Sequence, residues 1–234
     1  MRGKLFVVEG GDGSGKATQT HILKENLEKN GFQVEIVDFP VHHTCFYGKM
    51  VDRYLRGEFG DPTQVNPYLA SILYANDRRA FGEQMNTWLE EGKIILANRY
   101  TQSNKAFQGA KFKTIEEQDA FFDWNDLLEH EEHGIPKPNI VLYLAVPREV
   151  GKDWVLKKQK RSYLGDIKMD KHETNMSFQK KAEAIYERLA NREKHWKRVE
   201  CYEAGEMLSR EAIAEKVWSV VKAYLKPELQ EKLV

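Results

Sequence analysis

Cysteine is scarce in this sequence, and neither sign of charge is in excess. Cys45 and Cys201 are the two cysteines among 234 residues, and their positions lack the spacing of a metal site or a redox pair. We therefore expect reduced thiols rather than a disulfide framework. Lysine and arginine together number 36, as do aspartate and glutamate, so the formal net charge is zero. This balance excludes a general polyanion-binding surface, and no nucleic-acid partner is expected.

A long apolar segment is also missing at the start of the sequence. Residues 1–4 lead directly into a short apolar stretch that is too brief for a signal peptide or a membrane span. No internal repeat, low-complexity tract or linker divides the chain, and 234 residues fit one α/β domain. We therefore expect a single cytoplasmic domain over residues 1–234, with no membrane partner.

Short apolar runs alternate with helical patterns along the chain. Strands are predicted at residues 5–8, 35–39, 94–97 and 140–144, and a weaker one at 199–202. Helices are predicted at residues 18–29, 67–91, 115–132, 177–194 and 211–224. This alternation predicts an α/β fold in three layers, with a parallel five-stranded sheet flanked by helices.

A glycine-rich loop joins the first predicted strand to the first predicted helix. Glycines allow successive backbone N–H groups to face phosphate oxygens, a lysine adds a cation at the β- and γ-phosphates, and the helix N-terminus adds its dipole. We expect Lys16 to face solvent when no nucleotide is bound. The pattern predicts a nucleotide-binding P-loop made of Gly10, Gly11, Asp12, Gly13, Ser14, Gly15, Lys16, Ala17 and Thr18.

A P-loop alone does not separate GTPases, motors and kinases. A GTPase would need a guanine-reading Asn-Lys-x-Asp motif, which the sequence does not contain. Further motifs instead follow the P-loop in a fixed order, at residues 39–40, 73–78, 98–100 and 136–138. In order and spacing, these motifs resemble those of the thymidylate kinase family, from about residue 4 to about residue 189.

The resemblance implies a P-loop kinase fold with a mobile lid over about residues 157–175. It implies a nucleoside monophosphate kinase that transfers the γ-phosphate of ATP to dTMP, which gives dTDP and ADP. Mg²⁺ is the implied metal, small-molecule nucleotides are the implied ligands, and a homodimer is the implied assembly.

The resemblance also implies roles for individual residues. Tyr74 would stack on the base, and Arg78, one helical turn on, would donate to the thymine O4 carbonyl. Arg99, at the carboxyl edge of the sheet, would bind phosphate and join Lys16 in catalysis. Arg161 in the lid is the remaining implied catalytic residue. The other implied substrate-binding residues are Asp12, which would also contact the metal, Phe39, Ser103, Asn104 and Phe107.

Three places depart from the family pattern. Ala17 replaces the P-loop serine or threonine that binds Mg²⁺, and Asn98 replaces a carboxylate. These changes leave open a catalytically weak P-loop nucleotide-binding module. His42 and His43 follow at a position where the family has an arginine nearby, and we interpret both as solvated loop side chains. A deoxynucleoside kinase is a second alternative, but it would carry a carboxylate base where this sequence has Phe39 and Pro40.

Overall fold

The structure is a computed structural model that describes residues 2–42, 45–147, 150 and 176–225. Its strands are β1 (Lys4–Glu9), β2 (Val34–Asp38), β3 (Ile94–Asn98), β4 (Ile140–Ala145), β5 (Trp196–Glu200), β6 (Tyr202–Glu203) and β7 (Glu206–Met207). Its helices are α1 (Lys16–Lys29), α2 (Phe46–Leu55), α3 (Pro67–Arg79), α4 (Gly82–Glu90), α5 (Thr101–Gly109), α6 (Ile115–Asp126), α7 (Met176–Arg192) and α8 (Arg210–Tyr224). A π-helical turn at Leu127–Glu132 extends α6.

Strands β1 to β5 form one sheet in the order β2-β3-β1-β4-β5, and all neighbouring pairs are parallel. One apolar cluster packs α4 to α7 on one face of this sheet, and a second packs α1 and α8 on the other. Because both faces are covered, the central strands are continuous apolar runs without alternation. The predicted five-stranded parallel sheet flanked by helices is confirmed.

The carboxyl ends of three neighbouring strands lie at the same level. In the sheet register, Asn98 of β3 is opposite Val8 of β1 and Asp38 of β2. The segments that follow these strands therefore start from one edge, which is where ligands bind in open α/β sheets. The P-loop, the segment after β2 and Arg99 all begin there.

The single long helix predicted at residues 67–91 is wrong, because the chain forms α3 and α4 with a break at Ala80 and Phe81. The first helix begins where the Asn66 side chain accepts hydrogen bonds from two backbone N–H groups and Pro67 occupies the first turn. At the break, Phe81 turns into the core and packs edge-on against Phe39, with ring centroids 6.1 Å apart. Core packing outweighs helix continuity here.

Two further findings bear on the sequence predictions. Helices α2 and α5 were not predicted, and both contribute side chains to the site described below. None of the helices in the described ranges is long and apolar enough to cross a membrane. The predicted lid and Arg161 lie outside the described residues.

Candidate active site

Backbone geometry requires glycine at two positions of the P-loop, Gly10 and Gly15. Gly10 has φ 150°, and a Cβ atom there would lie 2.7 Å from Ser14 Oγ and 2.8 Å from the Leu144 carbonyl oxygen. Gly15 has φ 87° immediately before α1, a conformation that L side chains rarely adopt. The loop therefore packs tightly against the end of β4 and leads into the N-terminus of the helix.

The start of α1 is electrostatically suited to an anion. Its first turn contains no acidic residue, and no side chain caps its N-terminus. The partial positive charge of the helix end is therefore directed at the loop. Ala17 and Thr18 lie exposed in this first turn.

Lys16 does not face solvent, so that expectation is wrong. Its side chain is buried, and Nζ donates to the carbonyl oxygens of Gly10 at 3.1 Å and Gly11 at 2.9 Å. A buried ammonium group needs acceptors, and the loop carbonyls are within its reach. The cation is thus held inside the loop that would cradle phosphates.

A cavity of about 220 Å³ lies beside the P-loop. All of the substrate-binding residues implied by the family resemblance line it, together with five others that were not predicted. The lining residues are Asp12, Phe39, Pro40, His42, Leu55, Tyr74, Arg78, Arg99, Tyr100, Ser103, Asn104, Phe107 and Gln108.

Arg99 connects this cavity to the P-loop. Its Nη2 donates to Asp12 Oδ1 at 2.5 Å, and its guanidinium lies over the Phe107 ring at 5.4 Å. Burial opposes its charge, but the nearby Asp12, Tyr186 and Glu9 outweigh burial and raise the pKa of Arg99. Its φ of 65° is unusual for a residue other than glycine and marks a strained position, as is common at functional sites.

Glu9, at the end of β1, holds the start of α5 in place. Its fully buried carboxylate accepts hydrogen bonds from the backbone N–H groups of Tyr100 at 2.9 Å and Ser103 at 3.0 Å. It also accepts from Ser103 Oγ at 2.7 Å and Tyr186 Oη at 2.9 Å. Glu9 therefore supplies the cap that α5 lacks locally, and it fixes the backbone that carries Arg99.

Arg78, another of the residues that line the cavity, forms a buried ion pair with Glu129. Arg78 Nε and Nη2 donate to the two carboxylate oxygens at 2.7 and 2.5 Å, and the side chains are 2% and 0% exposed. Burial disfavours the charged form of Arg78, but the adjacent Glu129 carboxylate outweighs burial and raises the pKa of Arg78. Tyr74, one turn earlier, lines the same cavity, as its helical spacing predicted.

His42 is an exposed side chain in a turn, as interpreted, and it also makes a specific contact. Its Nδ1 lies 2.5 Å from Oδ1 of the buried Asp52, and its ring lines the cavity. Asp77 holds the adjoining backbone by accepting from the Val41 N–H at 2.9 Å. The Phe39–Pro40 peptide bond before this segment is cis. His43 lies outside the described residues.

The residues that sequence reasoning missed are mostly partners of the predicted ones. Glu9 gave a signal, because it is a carboxylate at the end of an otherwise apolar strand. Glu129, Asp52 and Gln108 gave none, since each lies in a polar stretch and its burial depends on distant elements.

The donor groups present for a divalent cation are few. Among the described residues, no group of three or more histidine, cysteine, aspartate or glutamate side chains is arranged to hold a metal. Asn98 Oδ1 is a neutral amide oxygen that is buried and has no hydrogen-bond partner in the described part of the chain. The residues fit a Mg²⁺ ion bound mainly by nucleotide phosphates and water, with Asp12 and Asn98 close to the P-loop.

Comparison with known proteins gives a consistent assignment. The family model for thymidylate kinase matches residues 8–212. Protein 251L of Invertebrate iridescent virus 6, which carries a provisional thymidylate kinase name, is 32% identical over 148 residues. The thymidylate kinase of Schizosaccharomyces pombe is 30% identical over 145 residues. These alignments cover 62% of this chain and only 61% and 62% of the two relatives.

The fold is also shared with a solved structure. The thymidylate kinase of Candida albicans superimposes with a TM-score of 0.70 at 23% identity, and the match covers 95% of this chain and 92% of that one. At this identity the likeness shows the fold alone. The family model, which spans most of the chain, shows more: the protein belongs to the thymidylate kinase family.

Proposed function

We propose that this protein is an ATP-dependent nucleoside monophosphate kinase that transfers the γ-phosphate of ATP to dTMP, giving dTDP and ADP. The observation that carries the proposal is the Asp12–Arg99 contact of 2.5 Å. It links the P-loop, where ATP phosphates bind, to the wall of a separate cavity suited to a second nucleotide. Donor and acceptor phosphates therefore meet at one place.

The P-loop residues bind the donor. The nine residues from Gly10 to Thr18 surround the phosphates, with N–H groups at the start of α1 directed at oxygen atoms. Lys16 moves its ammonium from the Gly10 and Gly11 carbonyls to the β- and γ-phosphates. Because phosphoryl transfer spreads negative charge over the transferred group, Lys16 and Arg99 act as catalytic cations. Arg161 is a further proposed catalytic cation.

The cavity binds the acceptor. Arg99 and Ser103 contact its phosphate end, and Tyr74 stacks on the base, a contact worth on the order of 1–3 kcal/mol. Phe39 forms part of the apolar wall, and Phe107 lies against the sugar. Arg78 and Asn104 line the same cavity, which supports the proposal that they hydrogen-bond the base.

Mg²⁺ supplies charge neutralisation and positioning for the phosphates when it is bound. Asp12 and Asn98 are the side chains of this chain proposed to hold it. Asp12 already binds Arg99, and Asn98 carries no charge, so we expect the protein to contribute little to the affinity for this ion.

The two alternatives remain distinguishable. A deoxynucleoside kinase needs a carboxylate base beside the sugar hydroxyl, but Asp12 is the one acidic residue among those that line the described cavity, and Arg99 holds it. A weak nucleotide-binding module is favoured only by Ala17 and Asn98.

A coupled ATPase assay across nucleoside monophosphates and nucleosides tests the proposed function and both alternatives. We expect turnover with dTMP and none with thymidine, and ATP binding without turnover would contradict the kinase proposal.

We also propose a homodimer in a reducing compartment, the cytoplasm. Leu69 and Ile72 lie on one face of α3 and are 63% and 39% exposed, which favours burial against a second copy. Cys45 and Cys201 are free thiols. Light scattering tests the assembly. We expect the wild type to be a dimer and a Leu69→Glu, Ile72→Glu double variant to be a monomer. Cell fractionation tests the compartment.

A further inference from the structure

The guanidinium of Arg99 is held from two sides. On one side, Nη2 donates to Asp12 Oδ1 at 2.5 Å. On the other side, Nη1 donates to Ser103 Oγ at 3.1 Å and reaches Tyr186 Oη at 3.5 Å. Two hydroxyl oxygens therefore face the same nitrogen of the cation that is proposed to bind the acceptor phosphate.

The Glu9 carboxylate determines how these two hydroxyl groups are turned. A serine or tyrosine hydroxyl has one proton to donate, whereas an ionised carboxylate can only accept. Glu9 Oε2 accepts from Ser103 Oγ at 2.7 Å and from Tyr186 Oη at 2.9 Å. Because both protons point at Glu9, both hydroxyl oxygens, which lie 3.0 Å apart, direct lone pairs at Arg99 Nη1.

Tyr186 keeps its proton in this arrangement. Its side chain is 1% exposed, and burial together with the Glu9 carboxylate raises the pKa of Tyr186 well above its usual value, although Arg99 acts in the opposite direction. The hydroxyl therefore remains a donor to Glu9 and an acceptor for the guanidinium.

Tyr186 reaches this network from α7 and lies behind the cavity wall. Neither Tyr186 nor Glu9 is among the residues that line the described cavity of about 220 Å³. Gln179, two turns before Tyr186 and therefore on the same face of α7, donates to Asp12 Oδ2 at 3.4 Å. One face of α7 thus contacts both partners of the Asp12–Arg99 pair.

Support of this kind matters because an arginine side chain has many rotamers. Ordering it at the moment of binding costs free energy, which is avoided when protein partners fix the side chain beforehand. Phosphate oxygens compete with Asp12 for Nη2 of Arg99. Acceptors at Nη1 keep the guanidinium in its orientation during that exchange.

We propose that Tyr186 is a positioning residue, whose hydroxyl acts together with Ser103 and Glu9 to hold Arg99 in the orientation that binds the acceptor phosphate. The inference rests on the proposed function and deepens it. Tyr186 itself does not touch the nucleotide. Loss of its hydroxyl should therefore weaken the binding of the acceptor's phosphate and leave the binding of its base and sugar unchanged.

Dissociation constants of dTMP and thymidine for Tyr186→Phe, measured by calorimetric titration, test the proposal. The two ligands share base and sugar, so the ratio of their dissociation constants isolates the phosphate contact. Tyr143→Phe is the matched control. The Tyr143 ring stacks on Tyr186 with centroids 5.5 Å apart, but its hydroxyl donates to Glu187 at 3.1 Å, outside the Arg99 network. Thermal melting establishes that each variant is folded.

We expect the preference for dTMP over thymidine to fall about tenfold in Tyr186→Phe, because a hydrogen bond to a charged group is lost. The preference should be unchanged in Tyr143→Phe. When Arg99→Ala is already present, adding Tyr186→Phe should cause no further loss, since the hydroxyl acts through the guanidinium.

Glu9→Gln is a second variant of nearly the same shape, and it decides if Tyr186→Phe does not fold. The amide oxygen is expected to accept from the backbone N–H groups of Tyr100 and Ser103, as the carboxylate does, which turns the NH2 group toward the two hydroxyls. The hydroxyl protons then point at Arg99 instead of away from it. We expect the preference for dTMP to fall at least tenfold.

An unchanged preference in folded Tyr186→Phe or folded Glu9→Gln would overturn the proposal. An equal loss in Tyr143→Phe, or a further loss when Tyr186→Phe is added to Arg99→Ala, would also overturn it. The proposed function fails separately, when Arg99→Ala itself keeps the preference for dTMP or when the wild type transfers phosphate to no nucleoside monophosphate.

Discussion

The side chains that line the cavity are held in two different ways, which separate a proposed phosphate end from a proposed base end. At the phosphate end, the P-loop and Arg99 follow directly from strands of the sheet, and Glu9 at the end of β1 holds the start of α5. At the base end, the lining side chains come from α3 and α5, and their positions depend on partners elsewhere. Arg78 depends on Glu129, which is 51 residues away, and Asn104 on Asn125, which is 21 away.

This difference predicts which substitutions affect activity alone and which affect stability as well. Side chains at the proposed phosphate end come from segments that directly follow strands of the sheet, so we expect losing one to remove chemistry and leave the fold nearly intact. Side chains at the base end form part of the helix packing, so losing one affects stability and specificity together.

The largest effect is expected for Lys16→Ala. Loss of the ammonium removes charge stabilisation at the transferred phosphate, and we expect the turnover number to fall by roughly 10³-fold. The protein should remain folded, because the Lys16 ammonium bonds to loop carbonyls and is not part of either apolar cluster. Steady-state kinetics and thermal melting measure the two quantities. Lys24→Ala, further along α1, is the matched control, and a Lys16→Ala variant that keeps most of its rate would refute the P-loop role.

The same contrast explains what the sequence could predict. The glycine loop and the five strands were predicted because each depends on local spacing, in a glycine pattern or an apolar run. Tyr74 and Arg78 were named from the family resemblance, and their spacing of one helical turn predicted that they share a face. The break between α3 and α4 was not, since it depends on Phe81 meeting Phe39 across the core.

Burial of polar residues was equally invisible in the sequence. Nothing local distinguishes Glu129 from the exposed Glu131 two residues later, yet the first is 0% exposed and pairs with Arg78. Whether a glutamate is a solvated surface charge or half of a buried ion pair depends on which helix packs over it. For the same reason Gln108 could not be identified before the cavity was known.

A second prediction concerns that buried pair. Glu129→Leu leaves Arg78 charged and buried without its partner, and we expect the free energy of unfolding to fall by about 3–5 kcal/mol. Adding Arg78→Met should restore much of the loss, because no buried charge then remains. Urea denaturation measures both variants, with Glu131→Leu as a control that should change stability by less than about 0.5 kcal/mol. Equal free energies of unfolding for Glu129→Leu and Glu131→Leu would show that the ion pair does not contribute to stability.

A third prediction isolates stacking from hydrogen bonding at the base end. Tyr74→Ala should weaken the binding of dTMP and dCMP alike, by about 1–3 kcal/mol, because stacking does not depend on which base is present. Tyr74→Phe keeps the ring and should bind both nucleotides nearly as the wild type does. Calorimetric titration measures the dissociation constants. A selective loss of one nucleotide in Tyr74→Ala would mean that the tyrosine reads the base edge.

The fourth prediction concerns Lys111, which is connected to Tyr74 through Tyr54. Its Nζ donates to Tyr54 Oη at 3.1 Å and to the Val65 carbonyl at 2.8 Å, and the Tyr54 ring packs edge-on against Tyr74. Burial lowers the pKa of Lys111 to about 7, although Asp61 acts in the opposite direction.

An unfolded lysine titrates near pH 10.4, so between about pH 7 and pH 10.4 the unfolded chain binds more protons at this residue than the folded one. The unfavourable contribution of Lys111 is complete below pH 7 and disappears as the pH rises. Lys111→Met should therefore be most favourable relative to wild type at pH 6, and its advantage should shrink by roughly 2–3 kcal/mol at pH 9. Urea denaturation at both pH values measures this, and a constant difference would contradict the burial of a titrating amine.

The smallest effect is expected at the metal-related positions of the phosphate end. Ala17→Thr adds a hydroxyl ligand in the first turn of α1, and Asn98→Asp adds a charge where a neutral amide oxygen is now buried without a partner in the described part of the chain. Each change should lower the Mg²⁺ concentration for half-maximal rate by a few-fold, and the pair should lower it further.

Calorimetry of ATP binding with and without Mg²⁺ measures metal binding separately from catalysis. The gain in ATP affinity from Mg²⁺ should increase from the wild type through the single variants to the pair. The opposing effect is that the carboxylate introduced by Asn98→Asp draws Arg99 away from Asp12, which would raise the Michaelis constant for dTMP while leaving Mg²⁺ dependence unchanged. Because Ala17→Thr cannot attract an arginine, it is the cleaner test of the two. A Mg²⁺ requirement that is identical in the wild type, both single variants and the pair would mean that the ion depends on the nucleotide and water alone at this end of the cavity.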